Sequence, residues 1–236
     1  MTTKTLNILC AGAAQGLVKA LQPKLAAQAD ATIAGRFGAV GAMKEALLAG
    51  EPCDLMVVTD KMIGELAAAG ALIGDTRRPL GRVRTGIAVR SGEPRPDVST
   101  PEALRAALLS ADAIYFPDPE RATAGIHFAN VMRELGIHEQ LAPRFRAFPN
   151  GATAMRELAA QAAPRLIGCT QITEINYTEG VDLVGALPQR FELATVYSAA
   201  VSATAKDPAL AALFLDMLAG DASRELRAAG GFEFDA

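Results

Sequence analysis

The sequence of this 236-residue chain has no long apolar run and no excess of basic residues. Its apolar runs fall far short of the ~20 residues that a membrane-spanning helix needs, so we expect no such helix. Lysine and arginine total 23 against 26 for aspartate and glutamate, which gives a net charge of −3. Nucleic-acid binding favours a clustered basic face, so this balance argues against a nucleic-acid partner.

The motifs that mark several classes of enzyme and metal site are also missing. The chain has no G-x-S-x-G elbow and no phosphate-binding P-loop, so hydrolase and nucleotide-binding functions lack support. The two histidines, His127 and His138, have no carboxylate at metal-ligand spacing. We therefore predict neither a zinc site nor a cofactor.

Cysteine usage and the start of the chain bear on its compartment. Cys10, Cys53 and Cys169 form no C-x-x-C pair and are odd in number, which fits a reducing compartment. After Met1 the chain leads straight into a predicted first strand, without the apolar segment of a secretory signal. We expect a cytoplasmic protein from the sequence as it stands, and a periplasmic one if a leader has been removed.

Residues 36–60 combine a small-residue loop, a helix and a buried strand. The loop, residues 38–41, precedes apolar residues at helical spacing, and Gly50 with Pro52 ends that helix. The apolar run 55–58 then predicts a buried parallel strand. A helix start after such a loop favours anions, because its first N–H groups lack intrahelical partners and the helix dipole is positive there.

Predicted strands and helices alternate along the chain, which indicates an α/β fold with mostly parallel sheets flanked by helices. The alternation resets at two long extended segments, residues 80–90 and 193–202. We interpret them as two crossing strands between two lobes: residues 1–83 plus 197–236 form lobe one, and residues 84–196 form lobe two. A ligand is expected in the cleft between the lobes, at the carboxyl ends of strands.

The same 36–60 segment resembles molybdate-binding proteins of ABC transporters. The resemblance lies in the order of loop, helix, Gly-x-Pro-x-Asp turn and Asp-ended strand, with the turn here reading Gly50-Glu51-Pro52-Cys53-Asp54. Further matches cover nearly the whole chain: Asp118-Pro119-Glu120, Thr123-Ala124-Gly125-Ile126, Gly136 and Gly231-Phe232. This resemblance implies a two-lobed type II periplasmic-binding-protein-like fold that captures a small anion. It implies a membrane transporter as partner only if the protein is exported, and it leaves the oligomeric state open.

Four small-residue loops, each before a predicted helix, are the expected ligand contacts. They are residues 12–16, 38–41, 123–125 and 150–153, where small side chains would let a ligand approach the backbone. The predicted ligand-binding residues are Ala13, Ala14, Ala39, Val40, Gly41, Arg84, Thr123, Ala124, Gly125, Asn150, Gly151, Thr170 and Gln171.

The chain departs from the family where hydroxyl groups would contact molybdate. The family has serines in the first two loops and a tyrosine at a later strand end, whereas this chain has alanines with a valine and, at the strand end, Gln171. A buried oxyanion without donors is costly, so we expect no molybdate binding. A small organic carboxylate fits a methyl-lined pocket better, with Arg84 or Arg82 on the crossing strand as a bidentate clamp.

An enzyme on the same scaffold is the alternative function. Aconitate isomerases resemble molybdate-binding proteins in fold, and such an enzyme moves a proton and a double bond in a tricarboxylate. His127, predicted in the first turn of its helix, is the candidate base, with Thr170 and Gln171 as further cleft candidates. The sequence leaves binder and enzyme open, while an effector-sensing domain of a regulator lacks a DNA-binding segment here.

Overall fold

A computed structural model describes residues 3–234 and contains, in that range, nine β-strands and ten α-helices. The strands are β1 (Lys4–Ala11), β2 (Ala31–Gly38), β3 (Leu55–Thr59), β4 (Arg78–Arg90), β5 (Ala113–Pro117), β6 (Phe145–Phe148), β7 (Leu166–Gln171), β8 (Val181–Ala186) and β9 (Ala194–Val201). The helices are α1 (Gly12–Ala29), α2 (Val40–Leu48), α3 (Asp60–Ala68), α4 (Pro101–Ser110), α5 (Thr123–Glu134), α6 (His138–Leu141), α7 (Gly151–Ala159), α8 (Ile172–Asn176), α9 (Pro208–Ala219) and α10 (Arg224–Gly230).

The chain divides into two compact units. Unit 1 comprises the residues up to Arg82 together with those from Thr195 onward, and unit 2 comprises Val83–Ala194. The chain passes between the units within β4 and again at the start of β9. The sequence placed these two passages after residues 83 and 196, within extended segments at both points.

Unit 1 is built on a sheet with the strand order β2-β1-β3-β9. The strand β1 pairs in parallel with β2 and β3, while β9 runs antiparallel to β3. The helix α1 packs against α9 and α10 and buries Leu17, Val18, Leu21 and Leu25, which recur at helical spacing. The apolar positions of the sequence therefore form the core of this unit.

The Gly-x-Pro-x-Asp turn has a structural role in unit 1. Gly50 has a φ of +80°, which ends α2 in a conformation that other residues rarely adopt. Asp54, at the other end of the turn, is 1% exposed. Its carboxylate accepts hydrogen bonds from the backbone N–H and the side chain of Asn7 (2.7 and 2.8 Å) and from the N–H of Lys206 (2.6 Å). The turn thus fastens β3 to β1 and to the segment after β9.

Unit 2 is built around β5, which pairs in parallel with β6 and β7. The strand β4 runs antiparallel to β7 and β8. On one face of the sheet Ile114 and Phe116 pack among residues of α4 and α5, and on the other face Tyr115 packs against Met155 of α7. The sheet is therefore covered by helices on both faces, and the α/β fold class is confirmed.

Several predicted boundaries are wrong. The helix α1 begins at Gly12 rather than Leu17, because β1 runs directly into it with Ala11 as the N-cap. Residues 12–16 and 123–125 therefore lie in helices and not in loops. The helix α7 ends at Ala159 rather than at residue 163. The short helices α6 and α8 were not predicted, because four or five residues carry no helical periodicity.

Candidate functional site

Two helices of unit 1 begin side by side. The strands β1 and β2 are parallel, with Ala11 opposite Gly38, so α1 and α2 start at the same edge of the sheet. Ala11 and Ala39 are their N-caps, and neither helix has a side-chain cap hydrogen bond within residues 3–234. This edge of unit 1 brings together the predicted residues Ala13, Ala14, Ala39, Val40 and Gly41.

The start of α1 is buried, and its N-cap side chain accepts no hydrogen bond. Ala13 and Ala14 in its first turn are 3% and 0% exposed. An alanine N-cap offers no side-chain oxygen to the first N–H groups, and a buried helix start needs an acceptor from elsewhere. Four other helices differ, since an N-cap side chain of their own accepts a hydrogen bond from the first turn: Thr59, Thr100, Asn150 and Asp207. The positive dipole end at α1 and α2 suits a negatively charged acceptor.

A charged cluster at the end of β3 was missed by the sequence analysis. Asp60, the first residue of α3, accepts hydrogen bonds from Arg77 Nε (2.7 Å) and from Ser198 Oγ (2.6 Å). The hydrogen bond from Arg77 holds the pKa of the Asp60 carboxyl below its usual range. The ion pair with Arg77 thus offsets the negative charge of Asp60, which lies at the same edge of the sheet as the starts of α1 and α2. Only Asp60, as a strand-end acid, could be flagged from sequence, because Arg77 and Ser198 lie 17 and 138 residues away.

In unit 2 the helix α5 begins with Thr123, Ala124 and Gly125. Its N-cap is Ala122, and it too has no side-chain cap among the described residues. A Cβ atom at position 125 would lie 2.1 Å from the carbonyl oxygen of Asp118, so only glycine allows this approach of helix to loop. The start of α5 therefore resembles those of α1 and α2.

An open pocket of about 540 Å³ lies beside the carboxyl ends of β5 and β6. The two strand ends meet because β5 and β6 are parallel, with Pro117 opposite Phe148. The carboxylate of Asp118 accepts hydrogen bonds from the N–H groups of Glu120 and Arg121 and so orders one wall. The pocket is lined by Asp118, Pro119, Glu120, Arg121, Ala147, Phe148 and Pro149.

The start of α7 is satisfied from within the chain. The side chain of Asn150 accepts a hydrogen bond of 2.9 Å from the N–H of Thr153. The carboxylate of Glu174 accepts a hydrogen bond of 3.2 Å from the N–H of Ala152 and a second one from the N–H of Gly151. The first three N–H groups of this helix thus have acceptors that belong to the protein itself.

Glu174 is a buried carboxyl that the sequence analysis missed. It is 6% exposed and accepts further hydrogen bonds from the hydroxyl of Thr170 and the N–H of Gln171. Burial raises the pKa of the Glu174 carboxyl, and its four hydrogen bonds counter that rise. A Cβ atom at Gly151 would lie 1.9 Å from Thr170 Oγ1 and 2.0 Å from Glu174 Oε2, so glycine makes room for this contact. The structure brings Asn150, Gly151, Thr170 and Gln171 together around Glu174.

The predicted clamp Arg84 lies on β4 and pairs with an acid. Its Nη1 is 3.8 Å from Glu192 Oε2, and the two side chains are 36% and 43% exposed. An exposed pair of this kind is weak, because both groups stay partly solvated.

His127 is the fifth residue of α5, so its predicted position in the first turn is wrong. The helix starts at Thr123, two residues earlier than expected. The ring nitrogen Nε2 lies 2.7 Å from the carbonyl oxygen of Phe191. A carbonyl oxygen only accepts hydrogen bonds, so Nε2 carries a proton and Nδ1 is the nitrogen left to act as an acceptor.

The three cysteines are buried thiols. Burial raises the pKa of Cys10 and Cys169, and it raises that of Cys53 to about 12, so all three stay protonated and unreactive near neutral pH. Residues 3–234 contain no group of three or more histidine, cysteine, aspartate or glutamate side chains that could hold a metal ion. In the same range no helix combines the length and apolar character that crossing a membrane requires.

Known proteins resemble this chain along almost its whole length. An aconitate isomerase from Pseudomonas sp. is 25% identical over 233 residues, covering 96% of this chain and 87% of that protein. The periplasmic molybdate-binding protein of Azotobacter vinelandii superposes with a TM-score of 0.78 at 18% identity, covering 98% of this chain and 100% of the other. Campylobacter jejuni PEB3, solved with L-phospholactate, gives a TM-score of 0.67 at 15% identity and covers 98% and 100%.

A family profile described as bacterial extracellular solute-binding protein matches residues 6–233. The match spans both units and includes all of the residues predicted to bind ligand. The resemblance inferred from residues 36–60 is confirmed, and the chain belongs to the bacterial extracellular solute-binding protein family.

Proposed function

We propose that this protein captures a small organic carboxylate. The observation that carries the proposal is the set of alanine N-caps, Ala11, Ala39 and Ala122, at the starts of α1, α2 and α5. These starts present backbone N–H groups and positive dipole ends without a hydroxyl or carboxylate cap of their own. Their donors suit carboxylate oxygens, and their methyl groups suit the carbon skeleton of an organic acid.

The same residues argue against molybdate. A tetrahedral dianion that leaves water needs many donors, and hydroxyl groups are absent at Ala13, Val40 and Gln171. The names of two relatives support an organic acid: aconitate is a tricarboxylate, and L-phospholactate carries a carboxylate. We further propose Arg84 as the charged partner of a ligand carboxylate, since its contact with Glu192 is exposed and weak.

The family supports a membrane transporter as the partner. Several related structures belong to ABC transport systems, such as the tungstate transporter of Geobacter sulfurreducens, which covers 97% of this chain at 14% identity. If the protein is exported, the bound carboxylate passes to a membrane transporter. If it stays in the cytoplasm, the bound acid is a substrate there.

A ligand screen tests the proposal. Thermal shift and calorimetry with trans-aconitate, citrate and lactate are compared with molybdate, tungstate and sulfate. A bound carboxylate at 100 times its dissociation constant should add ~2.7 kcal/mol to the free energy of unfolding. Stabilisation by the inorganic oxyanions alone would refute the proposal.

Isomerisation of a polycarboxylate is the second candidate function, and the 25% identity to an aconitate isomerase over 96% of the chain favours it. The reaction removes a proton from the carbon next to a carboxylate, shifts the double bond and returns a proton at the far carbon. His127 is the proposed base, acting through Nδ1 because Nε2–H is bonded to Phe191. Conversion of trans-aconitate to the cis isomer, followed by proton NMR without added metal or cofactor, tests this function.

A further inference from the structure

The start of α7 differs from those of α1, α2 and α5 in one respect. Its first N–H groups donate hydrogen bonds to an acidic side chain of the same protein. The alanine N-caps of the other three helices provide no side-chain acceptor among the described residues. Glu174 supplies the acceptor at α7 from α8, 22 residues further along the chain.

The donors that Glu174 takes are those that a bound oxyanion would use. They are the N–H groups of Gly151 and Ala152 at a positive helix end, the N–H of Gln171 and the hydroxyl of Thr170. Backbone N–H groups at a helix start with one hydroxyl beside them form a typical set of anion-binding donors. The carboxylate occupies this set in the manner of a ligand.

Room for this arrangement comes from a missing side chain. Any Cβ at position 151 would overlap Thr170 Oγ1 and Glu174 Oε2, at 1.9 and 2.0 Å. Glutamate at 174 also matters for reach, because aspartate is one methylene shorter. Glycine at 151 and glutamate at 174 therefore belong together as one built contact.

We propose that Glu174 acts as an internal anion that excludes inorganic oxyanions from the start of α7 and so determines the preference of this protein for carboxylates. The inference rests on the proposed function, because it explains how the same family scaffold would select an organic acid. The missing hydroxyl groups are then one cause of ligand selection. The second cause is Glu174, which accepts the hydrogen bonds that an oxyanion would otherwise receive.

Sulfate and molybdate serve as probes for three variants. Glu174→Ala frees the donors, Glu174→Gln removes the charge and leaves one acceptor oxygen in place of two, and Glu157→Ala removes an exposed carboxylate from α7 as the control. Calorimetry should show that Glu174→Ala binds sulfate or molybdate about tenfold or more tightly than the wild type, a clear gain on the affinity scale. The Glu157→Ala variant should stay like the wild type, and Glu174→Gln should gain less oxyanion affinity than Glu174→Ala because its side chain still occupies the space.

A second readout covers the case in which Glu174→Ala folds poorly. Millimolar sulfate should raise the melting temperature of Glu174→Ala and not that of the wild type, because the anion replaces the lost acceptor. Glu174→Asp keeps a carboxylate but places it one methylene further from the N–H groups of α7. This variant should show a smaller gain of oxyanion binding than Glu174→Ala. A folded Glu174→Ala or Glu174→Asp without any gain would overturn the inference, and so would tight oxyanion binding by the wild type.

The proposed function fails on a different measurement. It fails if the wild type binds no carboxylate in the ligand screen. The Glu174 inference is decided by oxyanion binding in the variants, so the two failures are distinguishable.

Discussion

The Nε2–H group of His127 donates a hydrogen bond of 2.7 Å to the carbonyl oxygen of Phe191. Phe191 ends a 3-10 turn, Gln189–Phe191, and is 3% exposed in the core between β5 and α5. The bond thus fastens this turn to the second turn of α5. His127 has a structural partner whatever further role it plays.

Replacing His127 by alanine should lower the free energy of unfolding by ~1 kcal/mol, the usual net loss for one hydrogen bond. Glutamine can place a side-chain N–H near the same carbonyl, so His127→Gln should lose less. Urea denaturation of the full-length protein measures the free energy of unfolding of both variants. Equal losses for the two variants would show that ring packing, and not the hydrogen bond to Phe191, is what the position contributes.

The catalytic hypothesis makes a separate prediction for His127. If the wild type converts trans-aconitate, His127→Gln should slow turnover ~100-fold or more, since glutamine cannot accept the proton at Nδ1. Carboxylate binding by the variant should persist in calorimetry. A variant that turns over at the full rate would clear His127 and leave another group as the base.

Arg84→Ala should weaken carboxylate binding by about 2 kcal/mol or more if the guanidinium pairs with the ligand. It should change the free energy of unfolding by less than ~0.5 kcal/mol, because the contact with Glu192 is exposed. Arg95→Ala is the matched control, since Arg95 makes a similar exposed contact of 3.2 Å with Asp182 in the same unit. Unchanged affinity in Arg84→Ala, measured by calorimetry, would remove Arg84 from the site.

Much of the fold follows from the sequence because its signals are local. Apolar runs such as 55–58 and the helical spacing of apolar residues in α9 identify strands and helices directly. The turn from Gly50 to Asp54 is a family motif that the sequence also shows. In the structure the Asp54 carboxylate joins β3 to β1 and to the segment after β9. The start of α1 was misplaced because alanine at the N-cap gives no capping signal, unlike Thr100 or Asn150.

The candidate site was predictable only in part, for a physical reason. Small residues indicated the starts of α1, α2, α5 and α7, although α1 and α5 begin earlier than predicted. These starts depend on neighbouring residues in the chain. Glu174 acts on α7 from 22 residues away, and its burial depends on how α8 packs. Neither its partners nor its environment can be derived from local sequence. The only available signal was an acid three residues beyond the end of β7.

Gly151→Ala should destabilise the protein by about 3 kcal/mol, at the upper end of the usual cost of overpacking. The added Cβ would sit 2.0 Å or less from Thr170 Oγ1 and Glu174 Oε2, and neither group can move without losing its hydrogen bonds. Gly185→Ala is the control in the same unit, because its Cβ would meet nothing closer than 3.6 Å. Comparable denaturation midpoints for the two variants would contradict the close packing described for Glu174.

The pH dependence of stability should report on Glu174. Burial raises the pKa of this carboxyl above its ordinary value of 4.5, so the folded protein holds the proton more tightly than the unfolded chain does. The stability linked to this group is present below pH 4.5 and is lost as pH rises through the raised pKa, because folding then has to keep a charge in a buried position. Glu174→Gln has no such proton. The free energy of unfolding of this variant, relative to that of the wild type, should therefore rise across this pH window and then stay constant at higher pH. Urea denaturation at a series of pH values measures the difference between the two curves. A difference that shrinks with rising pH would show that the four hydrogen bonds outweigh burial and that the pKa is lowered.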